Sequence, residues 1–327
     1  MSRILVTGAT GFVGYRLAKR LIEDGHCVRI LVRPNRDISS FDLERIEVAR
    51  GDVTDIHAVK AAMHGVETVY HIAAVFRTAA LPDTVYWATN YHGTKNMLQA
   101  AVNAGVSRFV YCSTCGVQGN IHNPPATEDA PYNPGDVYQR SKAKAEQEVL
   151  QAHADLGLPV TVIRPVAVYG PGDSRWLKLF RSIARRRFVM LGSGETLIHM
   201  VYISDLVEAF CLAAQNPSAV GRVYTIGGEK YVTLNELARI IAAAVGVPEP
   251  KLKFPFWPVR LLSGVVEDAC RIIGVEPPIF RRRVDLFVKN RAFDINRSKI
   301  ELGFQPKVSL EEGVRLTAAW YKSQGML

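Results

Sequence analysis

The sequence contains no long apolar run. No stretch reaches the roughly 18–20 consecutive apolar residues that a helix needs to span a bilayer. The first predicted strand begins at Arg3, which predicts no signal peptide. Internal repeats and low-complexity tracts are also absent from the sequence. These absences argue against a membrane-spanning, secreted or repeat-built protein, and we expect the protein to be cytoplasmic.

Cysteine is scarce as well. The five cysteines are an odd, scattered set, which is not the pattern of a disulfide framework. Cys112 and Cys115 form a Cys-x-x-Cys pair, a spacing found in redox motifs. Cys112 ends an apolar predicted strand, however, so a buried structural pair is the favoured interpretation. No metal site is expected, because His199 has no second ligand at a recognisable spacing.

Acidic residues are fewer than basic ones. The 327-residue chain has 31 Asp and Glu against 40 Lys and Arg, which gives a net charge of +9. Basic residues cluster at 185–187 and 281–283. Such a surplus attracts a phosphorylated cofactor, an anionic substrate or an anionic membrane face, although a solvated basic surface is the simpler interpretation. No nucleic-acid motif accompanies the clusters, so nucleic-acid binding is not expected.

A glycine-rich turn near the N-terminus carries the most specific signal. Gly8, Gly11 and Gly14 follow a predicted strand at 3–6 and precede a predicted helix at 15–23. In this context the first glycine permits a tight turn, the second lets the backbone approach a pyrophosphate, and the third lets the helix pack on the strand. The helix N-terminus adds free N–H groups and a partial positive charge. The segment therefore predicts a dinucleotide-phosphate site.

Apolar strand-like segments alternate with helical ones through the first half of the chain. This alternation predicts a parallel sheet with helices on both faces, a Rossmann-like doubly wound α/β fold. The further predicted strands are 27–32, 46–49, 66–73 and 108–112, and a long helix is predicted at 84–104.

The second predicted strand lacks the acidic residue that usually binds the adenosine ribose of NAD. Val32 is followed instead by Arg33, with Arg36 close behind. Because arginine pairs with a 2′-phosphate, NADP(H) is favoured over NAD(H). In the alternative, Arg33 stacks on the adenine or faces solvent. Asp52 is placed to accept a hydrogen bond from the adenine amine, and Asp55 to cap the next helix.

Hydroxyl, phenol and ammonium groups follow the fifth predicted strand. Ser113 and Thr114 end that strand, where ligands collect in open parallel sheets. Tyr138 and Lys142 are four residues apart on one face of the next predicted helix. A lysine ammonium lowers the pKa of a nearby phenol, and a tuned phenol exchanges a proton with a carbinol or carbonyl oxygen. Lys142 is also placed to bind the nicotinamide ribose. The alternatives are a local cap at the strand end and an exposed helix face.

Seven motifs in order over nearly the whole chain resemble those of an extended short-chain dehydrogenase/reductase, in the NAD-dependent epimerase/dehydratase superfamily. They are Thr7–Gly14, Gly51–Val53, His71–Ala74, Asn90 with Gly93–Thr94, Ser113–Gly119, Tyr138–Lys142 and Arg164–Asp173. The resemblance implies a catalytic set of Thr114, Tyr138 and Lys142, with Thr114 chosen over Ser113 by counting back from Gly119. It also implies a homodimer formed through the Tyr138 helix and its neighbour.

The same resemblance implies two functional regions. Residues 1–165 are expected to bind the NAD(P) cofactor, with a return of the chain at about 201–227, and 166–327 mainly to form a substrate-binding lobe. Asn90 is expected to support the cofactor and the strand ends, and Pro165 and Val168 to lie against the nicotinamide. The predicted cofactor contacts are Gly8, Thr10, Gly11, Phe12, Val13, Gly14, Arg33, Arg36, Asp52, Val53, Ile72, Ala73, Ala74, Asn90, Tyr138, Lys142, Pro165 and Val168.

Two departures bear on the branch of this superfamily. Ala167 stands where nucleotide-sugar epimerases usually carry Asn, and Val32 where they usually keep an acid. The Arg164–Asp173 motif is similar to that of hydroxysteroid/sterol dehydrogenases and dihydroflavonol reductases, but hopanoid-associated sugar epimerases share it. We therefore expect an NADP(H)-dependent oxidoreductase of an apolar alcohol or ketone (steroid-, terpenoid- or flavonoid-like). The alternative is an NAD-dependent nucleotide-sugar epimerase or dehydratase that retains its cofactor. A non-catalytic protein is disfavoured by the intact catalytic set.

The C-terminal half is less regular. Helices are predicted at 174–187 and, opened by Ser204 and Asp205, up to Gln215. The segment 253–258 is aromatic and proline-rich, and 259–275 is apolar with charges at helical spacing. An amphipathic helix packed on the lobe is the favoured interpretation of that segment. A lipophilic pocket wall and a peripheral membrane contact are the alternatives, and the membrane contact is not expected.

Overall fold

The computed structural model describes residues 2–76, 81–256 and 285–327. The predicted basic cluster at 281–283, the apolar segment at 259–275 and the end of the aromatic segment at 257–258 lie outside the described residues. None of the described helices is both long and apolar enough to cross a membrane.

A seven-stranded parallel sheet forms the centre of the molecule, in the order β3-β2-β1-β4-β5-β6-β10. The order reverses between β1 and β4, the switch point at which such sheets bind ligands. This arrangement confirms the predicted doubly wound α/β fold. Its strands are β1 (Arg3–Thr7), β2 (Cys27–Val32), β3 (Ile46–Arg50), β4 (Thr68–His71), β5 (Arg108–Cys112), β6 (Val160–Pro165) and, after three strands outside this sheet, β10 (Arg222–Ile226).

Helices cover both faces of this sheet, because its strands are apolar on both sides. In β1, Val6 belongs to one core and its neighbour Leu5 to the other. The first core also contains Leu17 and Phe210, and the second contains Met97. The α-helices within the described residues are α1 (Phe12–Glu23), α2 (Ile56–Met63), α3 (Asp83–Tyr86), α4 (Gly93–Ala104), α5 (Val137–Leu156), α6 (Leu177–Ala184), α7 (Ile203–Gln215), α8 (Leu234–Val245), α9 (Asn296–Leu302) and α10 (Leu310–Ser323).

The remaining strands belong to two small sheets next to the main one. A mixed three-stranded sheet has the order β11-β9-β7, and a two-stranded sheet joins β8 to β12. A third core, which includes Phe180, Leu237 and Tyr321, packs α6, α8 and α10 together. The chain leaves the main sheet after Pro165 and rejoins it through α7 and β10. The small-sheet strands are β7 (Ala167–Tyr169), β8 (Met190–Leu191), β9 (Leu197–Tyr202), β11 (Tyr231–Thr233) and β12 (Lys253–Phe254).

Several helix boundaries differ from those predicted. The helix predicted at 84–104 contains a π-helical turn at Trp87–His92 between α3 and α4, which apolar periodicity does not reveal. Helix α7 begins at Ile203, one residue before the predicted Ser204, so Asp205 lies in its first turn. The buried Asp205 carboxylate accepts a hydrogen bond from the Val308 N–H at 3.1 Å and fixes the C-terminal segment. Asp55, by contrast, caps α2 as expected by accepting from the N–H groups of His57 and Ala58.

Candidate active site

A cavity of about 850 Å³ lies along the carboxyl ends of six strands of the main sheet. It is the place where open parallel sheets bind nucleotides. All predicted cofactor contacts except Asn90 line it, namely Gly8, Thr10, Gly11, Phe12, Val13, Gly14, Arg33, Arg36, Asp52, Val53, Ile72, Ala73, Ala74, Tyr138, Lys142, Pro165 and Val168. Thr114 lines it too. The sequence motifs therefore meet at one site although they are spread over more than half of the chain.

The glycine turn forms the middle of the cavity wall. Gly8 has a positive φ of 74°, and a Cβ there would lie 2.7 Å from the backbone nitrogen of Ala73. A Cβ on Gly14 would overlap the carbonyl group of Gly8, so α1 packs directly on the turn. Gly11 caps α1 without a side chain, which leaves the first-turn N–H groups to a ligand. These features fit the pyrophosphate of a dinucleotide.

A turn rich in arginine follows β2 at the adenosine end. The Arg36 N–H donates to the Arg33 carbonyl at 3.0 Å. Arg50 holds the same turn, since its Nη1 donates to the carbonyls of Pro34 at 3.3 Å and Arg36 at 3.1 Å. The side chains of Arg33 and Arg36 are exposed on the cavity wall. Asp52 also lines the cavity, and its Oδ1 accepts a hydrogen bond from the N–H of Thr54.

Lys142 is buried at the opposite end of the cavity. Only 1% of the residue is exposed, and its Nζ donates to the Cys112 carbonyl at 2.6 Å. The Nζ also lies 4.0 Å from the centroid of the Tyr111 ring. Burial lowers the pKa of Lys142 to about 8, although the electrostatic interactions with Cys112 and Glu146 raise it. The ammonium is therefore held in a fixed place at the cavity wall and is mostly charged at neutral pH.

Helix α5 presents Tyr138 and Lys142 to the cavity on one face. Asp136 fixes the start of the helix by accepting a hydrogen bond from the Gln139 N–H at 2.8 Å. Tyr138 is buried, and its ring packs edge-on against Phe76 with centroids 5.0 Å apart. The phenol is thus confined between α5 and the loop that follows β4.

The two hydroxyl groups at the end of β5 have different partners. Ser113 is buried and donates its Oγ–H to Glu146. Thr114 accepts a hydrogen bond from the Gly116 N–H at 3.1 Å through Oγ1. The Thr114 hydroxyl can therefore donate to a ligand oxygen, whereas the Ser113 hydroxyl already donates to Glu146.

Asn90 is absent from the described lining of the cavity, and its predicted contact with the cofactor stays a prediction. Its Oδ1 accepts from the Val75 N–H at 2.7 Å, and its Nδ2 donates to the Val75 carbonyl at 3.1 Å and the Ser141 Oγ at 3.0 Å. Ser141 in turn donates to the Tyr138 carbonyl at 2.9 Å. Asn90 therefore positions the loop after β4 relative to the catalytic helix. The π-helical turn is what brings its amide inward.

A buried relay under the glycine turn escapes sequence reasoning. The His71 ring lies 2.8 Å from Thr7 Oγ1 through Nδ1 and 3.0 Å from Thr94 Oγ1 through Nε2. Thr7 Oγ1 also accepts from the Ala73 N–H, and Thr94 donates to the Asn90 carbonyl. Every donor proton of this hydrogen-bond relay has an acceptor when His71 is neutral and carries its proton on Nε2. Burial, and then the charge of Lys142, lower the pKa of His71 to about 3.

This relay predicts a pH-dependent stability. The folded-state pKa of His71 lies below the ordinary 6.5, so the unfolded chain binds more protons between these values. As the pH falls from 6.5 to about 4, His71 should lower the free energy of unfolding by about 1.4 kcal/mol per pH unit. Urea unfolding across this range should show that His71→Asn removes this part of the slope. The matched variant of exposed His57, His57→Asn, should keep the wild-type slope, and parallel curves for wild type and His71→Asn would contradict the assignment.

A buried ion pair stabilises α5, the helix that carries Tyr138 and Lys142. Glu146 is fully buried and Arg164 is 3% exposed, and Arg164 Nη2 lies 2.6 Å from Glu146 Oε1. Tyr132 donates to the same carboxylate at 2.7 Å, and Ser113 donates to its other oxygen. The one signal in the sequence is the four-residue spacing from Lys142 to Glu146, which places an acid on the buried face of the helix.

Other singled-out polar residues have structural partners. Burial raises the pKa of Cys112 to about 11 and that of Cys115 further still, so both remain thiols. Cys115 donates to the Arg164 carbonyl at 3.2 Å. A thiol, rather than a thiolate, is a poor nucleophile, so the geometry does not favour redox chemistry. His199 is buried and bonds the Gly228 carbonyl at 2.8 Å through Nε2.

The fold and the cavity together define an NAD(P)-dependent enzyme with a Rossmann-like domain. The chain belongs to the NAD dependent epimerase/dehydratase family, whose model matches residues 4–227. This confirms the resemblance to extended short-chain dehydrogenases/reductases.

Relatives match almost the full chain. It is 30% identical to a 3 beta-hydroxysteroid dehydrogenase/Delta 5-->4-isomerase of Mycobacterium tuberculosis, over 99% of this chain and 91% of that protein. It is 31% identical to the sterol-4-alpha-carboxylate 3-dehydrogenase of Schizosaccharomyces pombe, over 99% and 98%. The crystal structure of gox2253 superposes with a TM-score of 0.85 at 31% identity, over the whole of both chains.

Proposed function

We propose that the protein is an NADP(H)-dependent oxidoreductase that interconverts a secondary alcohol and a ketone on a fairly apolar substrate, of the steroid, terpenoid or flavonoid kind. The presence of Thr114, Tyr138 and Lys142 together in the lining of one cavity carries this proposal. The two named dehydrogenases support it, because both names describe oxidation at an alcohol of a sterol or steroid. Residues 1–165 with 201–227 would bind the cofactor, and the rest of 166–327 the substrate.

The mechanism follows from the positions of the side chains. A nicotinamide bound along the cavity wall would supply the redox chemistry, which is hydride exchange with the carbinol carbon. During oxidation Tyr138 accepts the carbinol proton as the C=O bond forms, and during reduction it returns that proton. The Thr114 hydroxyl donates to the same substrate oxygen, and the ammonium of Lys142 stabilises the tyrosinate. Pro165 and Val168, on the facing wall, would exclude water from the nicotinamide.

Cofactor preference depends on the arginine turn. Arg33 directly follows Val32, the position at which an acid would bind the ribose of NAD. Arg33→Asp should therefore remove a charged hydrogen bond to the 2′-phosphate and add a repulsive charge. We expect kcat/KM for NADP(H) to fall by about 10- to 100-fold, while the value for NAD(H) stays within a few-fold. Steady-state kinetics with both cofactors measures this. Arg45→Asp changes charge equally outside the cavity and should alter neither value; an equal loss for both cofactors in Arg33→Asp would contradict the NADP preference.

Turnover of apolar ketones tests the function itself. Wild-type protein would be supplied with NADPH and a panel of 3-ketosteroids and cyclic terpenoid ketones. The loss of NADPH absorbance should match the alcohol formed, mole for mole. Failure of every ketone in the panel, together with conversion of a UDP-sugar, would overturn the proposal.

A second candidate is a nucleotide-sugar epimerase or dehydratase with a retained NAD. It is supported by the family, whose description includes both activities. The exposed residues 185–187 would hold the substrate diphosphate in this case. Such an enzyme would convert a UDP-sugar with no net change in cofactor absorbance, which separates it from the first candidate.

A further inference from the structure

One arginine on the cavity wall has no role in the mechanism above. Arg175 follows β7 and enters the cavity from the segment that connects the main sheet to α6. Its guanidinium carbon lies 5.5 Å from the ring centroids of both Phe12 and Phe76. Phe12 begins α1 beside the glycine turn, and Phe76 packs on Tyr138. Arg175 thus spans the cavity between the phosphate end and the catalytic phenol.

The protein uses only one edge of this guanidinium. Nε donates to Asp173 Oδ1 at 2.7 Å, and Nη2 donates to the Val168 carbonyl at 3.0 Å. These two nitrogens form the side-on edge of the fork. Both hydrogens of Nη1 and the second hydrogen of Nη2 bond to no residue in the described parts of the chain. The side chain is 35% exposed, so the end-on edge of the fork is open to a ligand.

The fixed edge and the aromatic flanks prepare the open edge for an anion. Asp173 is 2% exposed, and its Oδ1 also accepts the Arg175 N–H at 3.1 Å, which sets the direction of the side chain. The other carboxylate oxygen, Oδ2, is buried without a partner among the described residues, so it does not compete for the open edge. Two parallel N–H donors match the two oxygens of a carboxylate, and contact with rings strengthens the interaction by excluding water.

The position of Arg175 relative to the Tyr138 phenol indicates which ligand its open edge binds. The guanidinium carbon is 5.5 Å from the centroid of the Phe76 ring, and that centroid is 5.0 Å from the centroid of the Tyr138 ring. Arg175 and Tyr138 therefore flank the same aromatic ring, where one substrate can reach both. Its charge also acts on the thiol of Cys112, the residue whose carbonyl binds Lys142. The cofactor pyrophosphate, in contrast, has its own binding site at the glycine turn and does not need Arg175.

We propose that Arg175 binds a carboxylate group of the substrate, a few carbons from the carbinol that reacts. This inference rests on the proposed function and narrows its substrate class to apolar hydroxy acids and the corresponding oxo acids. The same fork would suit a phosphoryl oxygen of the cofactor, so the test separates these two sources of anion.

The test uses 3-hydroxydecanoate and its methyl ester, which differ only in the charge. Calorimetric titration of the NADP⁺-loaded protein should give at least tenfold tighter binding of the acid than of the ester. Arg175→Met should weaken binding of the acid by about 10- to 100-fold, the effect expected for hydrogen bonds to a charged group. Binding of the ester and of NADP⁺ should stay within about twofold, because neither uses the open edge. Arg239→Met, at an exposed arginine outside the cavity lining, is the matched control and should change nothing.

Each other outcome overturns the inference. Equal losses for acid and ester in Arg175→Met would give Arg175 a structural role only. Weaker NADP⁺ binding with an unchanged preference for the acid would assign it to the cofactor. Wild-type protein that fails to bind the acid, or binds it no better than the ester, also contradicts the proposal. Binding needs no turnover. Arg175-dependent binding of the acid, together with failure of every panel ketone and conversion of a UDP-sugar, would therefore overturn the proposed function and leave this inference standing.

Discussion

Tyr138→Phe should lower kcat by about 10²- to 10⁴-fold, the contribution typical of a positioned proton donor and acceptor. The substitution removes one oxygen and keeps the ring, which packs 5.0 Å from Phe76. The cofactor should therefore bind with an unchanged Kd. A fall in kcat without a rise in that Kd separates a chemical role for the phenol from a role in building the cavity.

Tyr231→Phe is the matched control, because it removes a hydroxyl from an exposed tyrosine of the small mixed sheet. It should leave both kcat and the cofactor Kd unchanged. Tyr138→Phe protein that turns over as fast as the wild type would rule out the proposed acid–base role, whatever the substrate.

Glu146→Gln should lower the free energy of unfolding by about 3–5 kcal/mol. The substitution preserves the shape of the side chain but leaves the charge of Arg164 buried and uncompensated. The large effect comes from this unpaired charge. Replacing both partners with apolar residues should therefore recover most of the lost free energy of unfolding. The double variant Glu146→Leu with Arg164→Met tests that reasoning, and urea unfolding measures all three proteins.

An exposed ion pair of equal length is the control. Glu312 Oε1 and Arg315 Nη2 are also 2.6 Å apart, but both side chains are largely exposed. Solvent screens such a pair, so Glu312→Gln should leave the unfolding midpoint unchanged. If Glu146→Gln were as mild as Glu312→Gln, or if the double variant were less stable than Glu146→Gln, the buried pair would not hold the catalytic helix in the way described.

The parts of the fold that depend on local patterns were predictable. The bounds of β2 and β5 match the predicted 27–32 and 108–112, because apolar runs between turn residues are local signals. The glycine turn and the pair Tyr138 and Lys142 are also local motifs. Their common place at the strand ends follows from the parallel sheet rather than from any one motif.

The supporting contacts were not predictable, because they join residues far apart in the chain. His71 meets Thr7 and Thr94, and Glu146 meets Ser113, only after the sheet has formed. The π-helical turn that carries Asn90 inward has no periodic signature. Arg175 was likewise missed, since only the folded chain brings it between Phe12 and Phe76.

The nucleotide that the purified protein carries tests the proposed function most directly. The protein would be denatured, and the released nucleotide identified and quantified by mass spectrometry. An exchanging NADP(H)-dependent oxidoreductase should release little nucleotide, and what it releases should be NADP⁺ or NADPH. Near-stoichiometric NAD⁺ would contradict this, because it would indicate a cofactor that is retained and recycled within an epimerase or dehydratase.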